Sequence, residues 1–149
     1  MRGKILNAIL ALSILTVGAV ATASAQIAET RMSAQIPFAF IVGEQTLSAG
    51  RYQLRRIGDD PYLLCIQNVD DRRESAIFNT GLVDEGDWIR ESQLVFHRYG
   101  DIYFLAEITS QYERIARELR PSKQERRMER DLVSDNRGRE WQSVTLTAT

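Results

Sequence analysis

Leu94-Val95-Phe96-His97-Arg98-Tyr99-Gly100-Asp101-Ile102-Tyr103-Phe104-Leu105-Ala106-Glu107-Ile108 is the stretch that decides the fold class. Two apolar runs rich in aromatic and β-branched residues flank the dipeptide Gly100-Asp101. That is the pattern of a β-hairpin closed by a tight primed turn, and a two-residue loop fixes the pairing register. The register places Tyr99 opposite Ile102, His97 opposite Phe104 and Val95 opposite Ala106. Val95, His97, Tyr99, Ile102, Phe104 and Ile108 then share one face. Leu94, Phe96, Arg98, Tyr103, Leu105 and Glu107 share the other. Both faces are largely apolar, so the hairpin is expected at the centre of the domain and covered on both sides.

Working outward, strand signals recur at short spacing with turn chemistry between them. Met32, Ala34, Ile36, Phe38, Phe40 and Val42 alternate along the chain, a period of two. Pro37 lacks an amide hydrogen and marks that strand as an edge or a bulge. Tyr52–Ile57 and Tyr62–Val69 flank the turn Gly58-Asp59-Asp60-Pro61. Ala76, Phe78 and Leu82 alternate before the acidic break Asp84-Glu85-Gly86-Asp87. Pro121-Ser122-Lys123-Gln124-Glu125 contains the capping pattern Ser-x-x-Glu and predicts a helix beginning after Ser122 and running to about Val133. Its apolar side is thin, Met128 and Leu132 one turn apart, so light docking is expected. Val144, Leu146 and Ala148 alternate with threonines. The expected fold is mainly β: an antiparallel meander of six or seven strands forming a small sandwich or barrel, with one C-terminal helix. Residues 26–133 form this domain, and 134–149 are a tail or a final strand.

The N-terminus reads as an address. Arg2 and Lys4 precede an apolar run from Ile5 to Val20, and Ala23-Ser24-Ala25 supplies a small-x-small cleavage site. The run has about 16 residues, fewer than the 20 or so that span a bilayer as a helix. Residues 1–25 are therefore expected to be a signal peptide, the mature chain to be exported to the periplasm or beyond, and no span to remain after cleavage. Cleavage leaves 124 of the 149 residues, enough for one domain. Loss of Arg2 and Lys4 takes 19 basic residues to 17 against 20 acidic, a net charge of −3. Cys65 is the sole cysteine; it can make no internal disulfide, and its apolar neighbours favour a buried thiol.

Three stretches in order, Ile36-Pro37-Phe38 through Val42-Gly43 with Ala49-Gly50-x-Tyr52, then Leu94–Glu107 around Phe-His-Arg-Tyr-Gly-Asp, then Leu119-x-Pro121-Ser122 leading into the Arg/Glu-rich helix, resemble a group of small exported proteins abundant in acidobacterial genomes. The resemblance covers about residues 32–130. It implies a bacterial envelope setting and carries no activity with it.

The chemistry-bearing residues are sparse. No Gly-x-Ser-x-Gly elbow, phosphate loop, His-Glu-x-x-His or dinucleotide fingerprint occurs. With one histidine and one cysteine, a zinc site would need mainly carboxylates, and the acidic loop 84–87 lacks calcium-loop spacing. No metal or cofactor is expected. His97 is the only histidine, and its apolar face favours a structural role; a catalytic one would require a carboxylate within hydrogen-bonding reach in an open cleft. His97, Arg98 and Tyr103 are the candidate ligand-binding residues. Arg114, Arg117, Arg120, Arg126, Arg127 and Arg130, with Lys123 among them, are the candidate contacts for an anionic partner. If the strands form a simple meander, the first three meet an acidic rim of the protein's own loops. Export and the interleaved Glu118, Glu125 and Glu129 argue against nucleic acid. The functional reading is an exported, non-catalytic binding or structural domain. The alternatives are a carboxylate-dependent hydrolytic enzyme and a carrier of a small apolar ligand in a barrel lined by Phe38, Phe40, Tyr52, Phe78 and Phe104.

Overall fold

The central hairpin folds as β7 (Ser92–Tyr99) and β8 (Ile102–Ser110), paired antiparallel with Tyr99 opposite Ile102 and His97 opposite Phe104. Gly100 adopts φ +63°, the left-handed backbone that a primed turn demands and glycine accepts without strain. The expected register holds only from Phe96 to Leu105. Beyond it, Val95 pairs with Glu107 and not Ala106, because one extra residue of β8 is accommodated as a bulge. The bulge moves Ile108 to the face of Leu94, Phe96 and Leu105, where all four are buried in one core. Tyr99 and Phe104 are buried in a separate cluster on the other face. The hairpin is thus apolar on both sides and covered on both.

The computed structural model describes residues 32–83, 90–111, 115–134 and 141–149. The segment read as a signal peptide lies outside them, as does Arg114. The remaining elements are β1 (Met32–Ile36), β2 (Phe40–Val42), β3 (Gln45–Leu47), β4 (Gly50–Arg56), β5 (Leu63–Asn68), β6 (Ser75–Val83), β9 (Ile115–Leu119), helix α1 (Lys123–Ser134) and β10 (Gln142–Ala148). The protein is mainly β with one helix near the C-terminus, but the described residues form ten strands, not six or seven. Pro37 splits the first expected strand: β1 stops at Ile36 and the chain resumes extended at Phe40. Gly43, at φ +60°, then turns β2 directly into β3, with Val42 opposite Gln45. β9 runs through a segment whose arginines and glutamates mask its strand character.

The expected simple meander is also corrected. β4-β5-β6 and β7-β8-β9 are each antiparallel meanders, but they join through β6 and β9, and β2 pairs parallel to β8 at Ile41 and Phe104. β1 lies outside β4, and β10 outside β7. No ladder links β1 to β10, yet Ser33 and Thr149 exchange backbone bonds, N to O, of 2.7 and 2.9 Å. All ten strands place at least one side chain in the same core, in which Ile36, Phe40, Tyr52, Ile66, Leu94 and Phe96 are essentially inaccessible.

α1 covers the other face of the hairpin. Met128 and Leu132 pack on the cluster of Ile41, Tyr99 and Phe104. Ser122 caps the helix, its Oγ accepting the Glu125 amide at 3.0 Å, and the Glu44 carboxylate from the β2–β3 turn accepts the Lys123 amide at 3.1 Å. A carboxylate at this end also complements the helix dipole.

Candidate functional site

His97 is held between three elements. It projects from β7 on the α1 side, with Nδ1 2.8 Å from Oε1 of Glu125. The ring of Trp141, immediately before β10, lies 3.9 Å from the imidazole centroid. The His97 side chain is 25% exposed, and that of Glu125 only 6%. Tyr99 stands two residues along the same face. Burial, and then the negative charges of Glu125 and Glu129, push its hydroxyl up to about 12. The Ser-x-x-Glu pattern located the helix start correctly, but it did not reveal that Glu125 turns its carboxylate inward to His97. α1 is docked by a polar latch as well as by Met128 and Leu132, more firmly than its thin apolar side suggests.

Arg98 and Tyr103 sit together on the opposite face of the hairpin, away from His97. The Arg98 guanidinium bonds the Gly100 carbonyl at 2.7 Å, approaches Asp101 at 3.7 Å and lies 5.5 Å from the Tyr103 ring centroid. Tyr103 stacks on Phe38 at 3.9 Å. The three candidate ligand-binding residues therefore form two sites on two faces, both occupied by neighbouring side chains.

The candidate basic contacts divide as well. Arg117 is buried on β9, its guanidinium donating to the Pro61 carbonyl, so it forms part of the domain's own packing at that end. Arg120 is exposed in the link to α1. On α1, at about 100° per residue, Lys123, Arg126, Arg127 and Arg130 fall within about 100° of arc, opposite Met128, Glu125 and Leu132. All four are exposed, and only the Arg126 guanidinium has a described partner, the carbonyl of Pro121. Of the acids near these residues in sequence, Glu118 lies on β9 and Glu125 points to His97, while the exposed Glu129, whose charge also acts on Tyr99, and Asp131 flank the arc on either side.

A second polar cluster lies across the domain. The Tyr52 hydroxyl is 2.8 Å from the Ser48 carbonyl and 3.0 Å from Glu74 Oε2. Ser48 Oγ donates to Glu74 Oε1 at 2.6 Å and Asn68 Nδ2 to Oε2 at 3.2 Å. The Ser48 hydroxyl first, then Tyr52, hold the Glu74 carboxyl below its ordinary value, while burial pushes Tyr52 up to about 12.

Of the aromatic residues read as a ligand lining, Phe40 packs edge-on against Tyr52 and Phe96, and Phe104 belongs to the cluster under α1. A cavity at one end of the core, bordered by Met32, Leu54, Leu64 and Ile108, measures about 30 Å³, water-sized rather than lipid-sized. Cys65 is buried on β5. Among the described residues no three His, Cys, Asp or Glu side chains are grouped to hold a metal ion, and no helix is long and apolar enough to cross a membrane. Neither the family models, nor the curated proteins, nor the solved structures compared with this chain match it.

Proposed function

We propose that the chain is an exported, non-catalytic binding domain of the bacterial envelope that rests on an anionic lipid surface through α1. The observation that carries this reading is the sorted helix: four basic side chains on one exposed arc, with Glu125 turned to His97 and the exposed Glu129 and Asp131 only flanking the arc. The arc is convex, so it suits a flat charged surface better than a chain that must be enclosed. It holds no apolar side chain to sink between lipids, so attraction is electrostatic, about 1 kcal/mol per basic residue and weakened by salt. The setting rests on the N-terminal sequence and on the resemblance to small exported acidobacterial proteins. The Ser33–Thr149 exchange, which brings the outer strands β1 and β10 together, supports closure of the sheet toward a barrel as the carrier of this surface.

Co-sedimentation with vesicles tests it. The protein should bind vesicles of equal phosphatidylglycerol and phosphatidylcholine, release at high salt, and ignore pure phosphatidylcholine. The double substitution Arg127→Gln with Arg130→Gln should abolish binding. Equal binding to neutral vesicles, or binding unaffected by the substitutions, refutes the proposal.

One observation favours a second reading, a hydrolytic enzyme: the 2.8 Å His97–Glu125 pair is the oriented base that such chemistry uses. The Trp141 ring across the imidazole weighs against it. Turnover of chromogenic esters or glycosides by the wild type and not by His97→Ala would favour the enzyme.

A further inference from the structure

We infer that the outer face of β4 and β5 carries a binding site for an acidic saccharide unit, independent of α1. A cleft of about 350 Å³ opens there, lined by Gln53, Arg55, Gln67, Asn68, Val69 and Arg72. Its volume lies at the lower end of the range for small-ligand sites, about 300–1,000 Å³.

The lining follows from the strand register. Gln53 and Gln67 are direct cross-strand partners, and Arg55 stands two residues further along the same face of β4. Arg72 comes from the β5–β6 turn, and that turn is braced. Asn68 Oδ1 accepts the amides of Asp70 and Asp71 at 2.8 and 3.1 Å, Asn68 Nδ2 holds Glu74, and Gln67 Nε2 donates to the Arg72 carbonyl at 3.0 Å. Asn68 is thereby a positioning residue, with both ends of its amide engaged inside the protein.

The guanidinium groups of Arg55 and Arg72 have no hydrogen-bond or ion-pair partner among the described residues. The nearby acids do not neutralise them. Asp70 pairs with Arg51 at 3.2 Å, and the Asp71 carboxylate turns back onto the Arg73 amide at 3.0 Å. Two unpaired guanidinium groups in one cleft call for an anion, and their planar forks suit a carboxylate. Among the described residues Gln53 has both its amide donor and its acceptor without a partner, as has the Gln67 side-chain carbonyl oxygen beside it. Such amides pair with hydroxyl groups, which both donate and accept. A carboxylate carried on a polyhydroxylated ring satisfies the whole set, which neither an inorganic anion nor a neutral sugar does.

The test is an NMR titration of the full mature protein with galacturonate trimer, galactose trimer and inorganic sulfate, following the side-chain amides of Gln53 and Gln67. Saturable shifts with the acidic trimer alone are expected, with affinity about tenfold weaker in Arg55→Gln and again in Arg72→Gln, each variant retaining its backbone spectrum. The Arg127→Gln, Arg130→Gln variant should bind the trimer normally, even though it fails on vesicles. No saturable shift, equal response to the neutral trimer or to sulfate, undiminished binding in both cleft variants, or loss of binding in the α1 variant would each overturn the site.

Discussion

At the scale of single residues, the most consequential contact is His97 with Glu125. Removing the imidazole by His97→Ala leaves a carboxylate that is almost wholly buried without this partner, which should cost about 2 kcal/mol. Glu125→Gln keeps the volume and a hydrogen bond to the ring, and should cost less than half as much; urea unfolding of the two variants side by side checks the ordering. Glu74 makes the complementary prediction for pH. Its carboxyl is held below the ordinary 4.5 in the folded chain, so its contribution is complete above that value and is lost as pH falls through the lower native value. Glu74→Gln should flatten that part of the acid unfolding curve and leave the neutral region with a lower, pH-insensitive stability. Neither contact was legible in the sequence. Ser-x-x-Glu specifies which backbone amide the serine meets, but it says nothing of where the glutamate carboxylate goes. Glu74 ends the charged run Asp70-Asp71-Arg72-Arg73-Glu74, in which nothing sets it apart from its neighbours.

At the scale of elements, the sequence was most informative where local chemistry decided the outcome. Gly100-Asp101 set the turn, Ser122 set the helix start, and the Val144–Ala148 alternation became β10. It was least informative where a tertiary neighbour decided. The bulge opposite Val95 brings Ile108 into the core with Leu94, and no local pattern encodes it. β9 was obscured because Arg117, the charge that makes the segment look solvated, is buried and bonded to the Pro61 carbonyl. The helix itself is testable. Ser122→Ala removes the cap on the Glu125 amide and should destabilise α1 by about 1 kcal/mol. Hydrogen exchange should quicken along Lys123–Ser134 and at the Tyr99 end of β7, while amides of β5 and β6 stay protected. Uniform acceleration throughout the domain would show that α1 is part of the cooperative core, and not a separately docked unit.

At the scale of the whole molecule, the question is what the last nine residues contribute. Trp141 covers His97, β10 pairs with β7 from Gln142 to Ala148, and Thr149 exchanges two backbone bonds with Ser33 of β1. These residues therefore touch the latch, the central hairpin and the far end of the sheet at once. Removing residues 141–149 bares the long outer edge of β7, together with the core side of Leu94 and Phe96, which are fully buried in the intact chain. An exposed apolar edge of that length is a template for pairing with another chain. The truncated protein should elute as soluble aggregates or misfold, and its remaining monomer should unfold at lower urea with a smaller dependence on denaturant. A monomeric truncation with unchanged unfolding would mean that the sheet is held by β1–β9 alone, and that β10 is only laid against it. The single core shared by all ten strands argues for the first result, because Ala148 and the half-buried Val144 and Leu146 are packed into the same cluster as Phe40 and Tyr52.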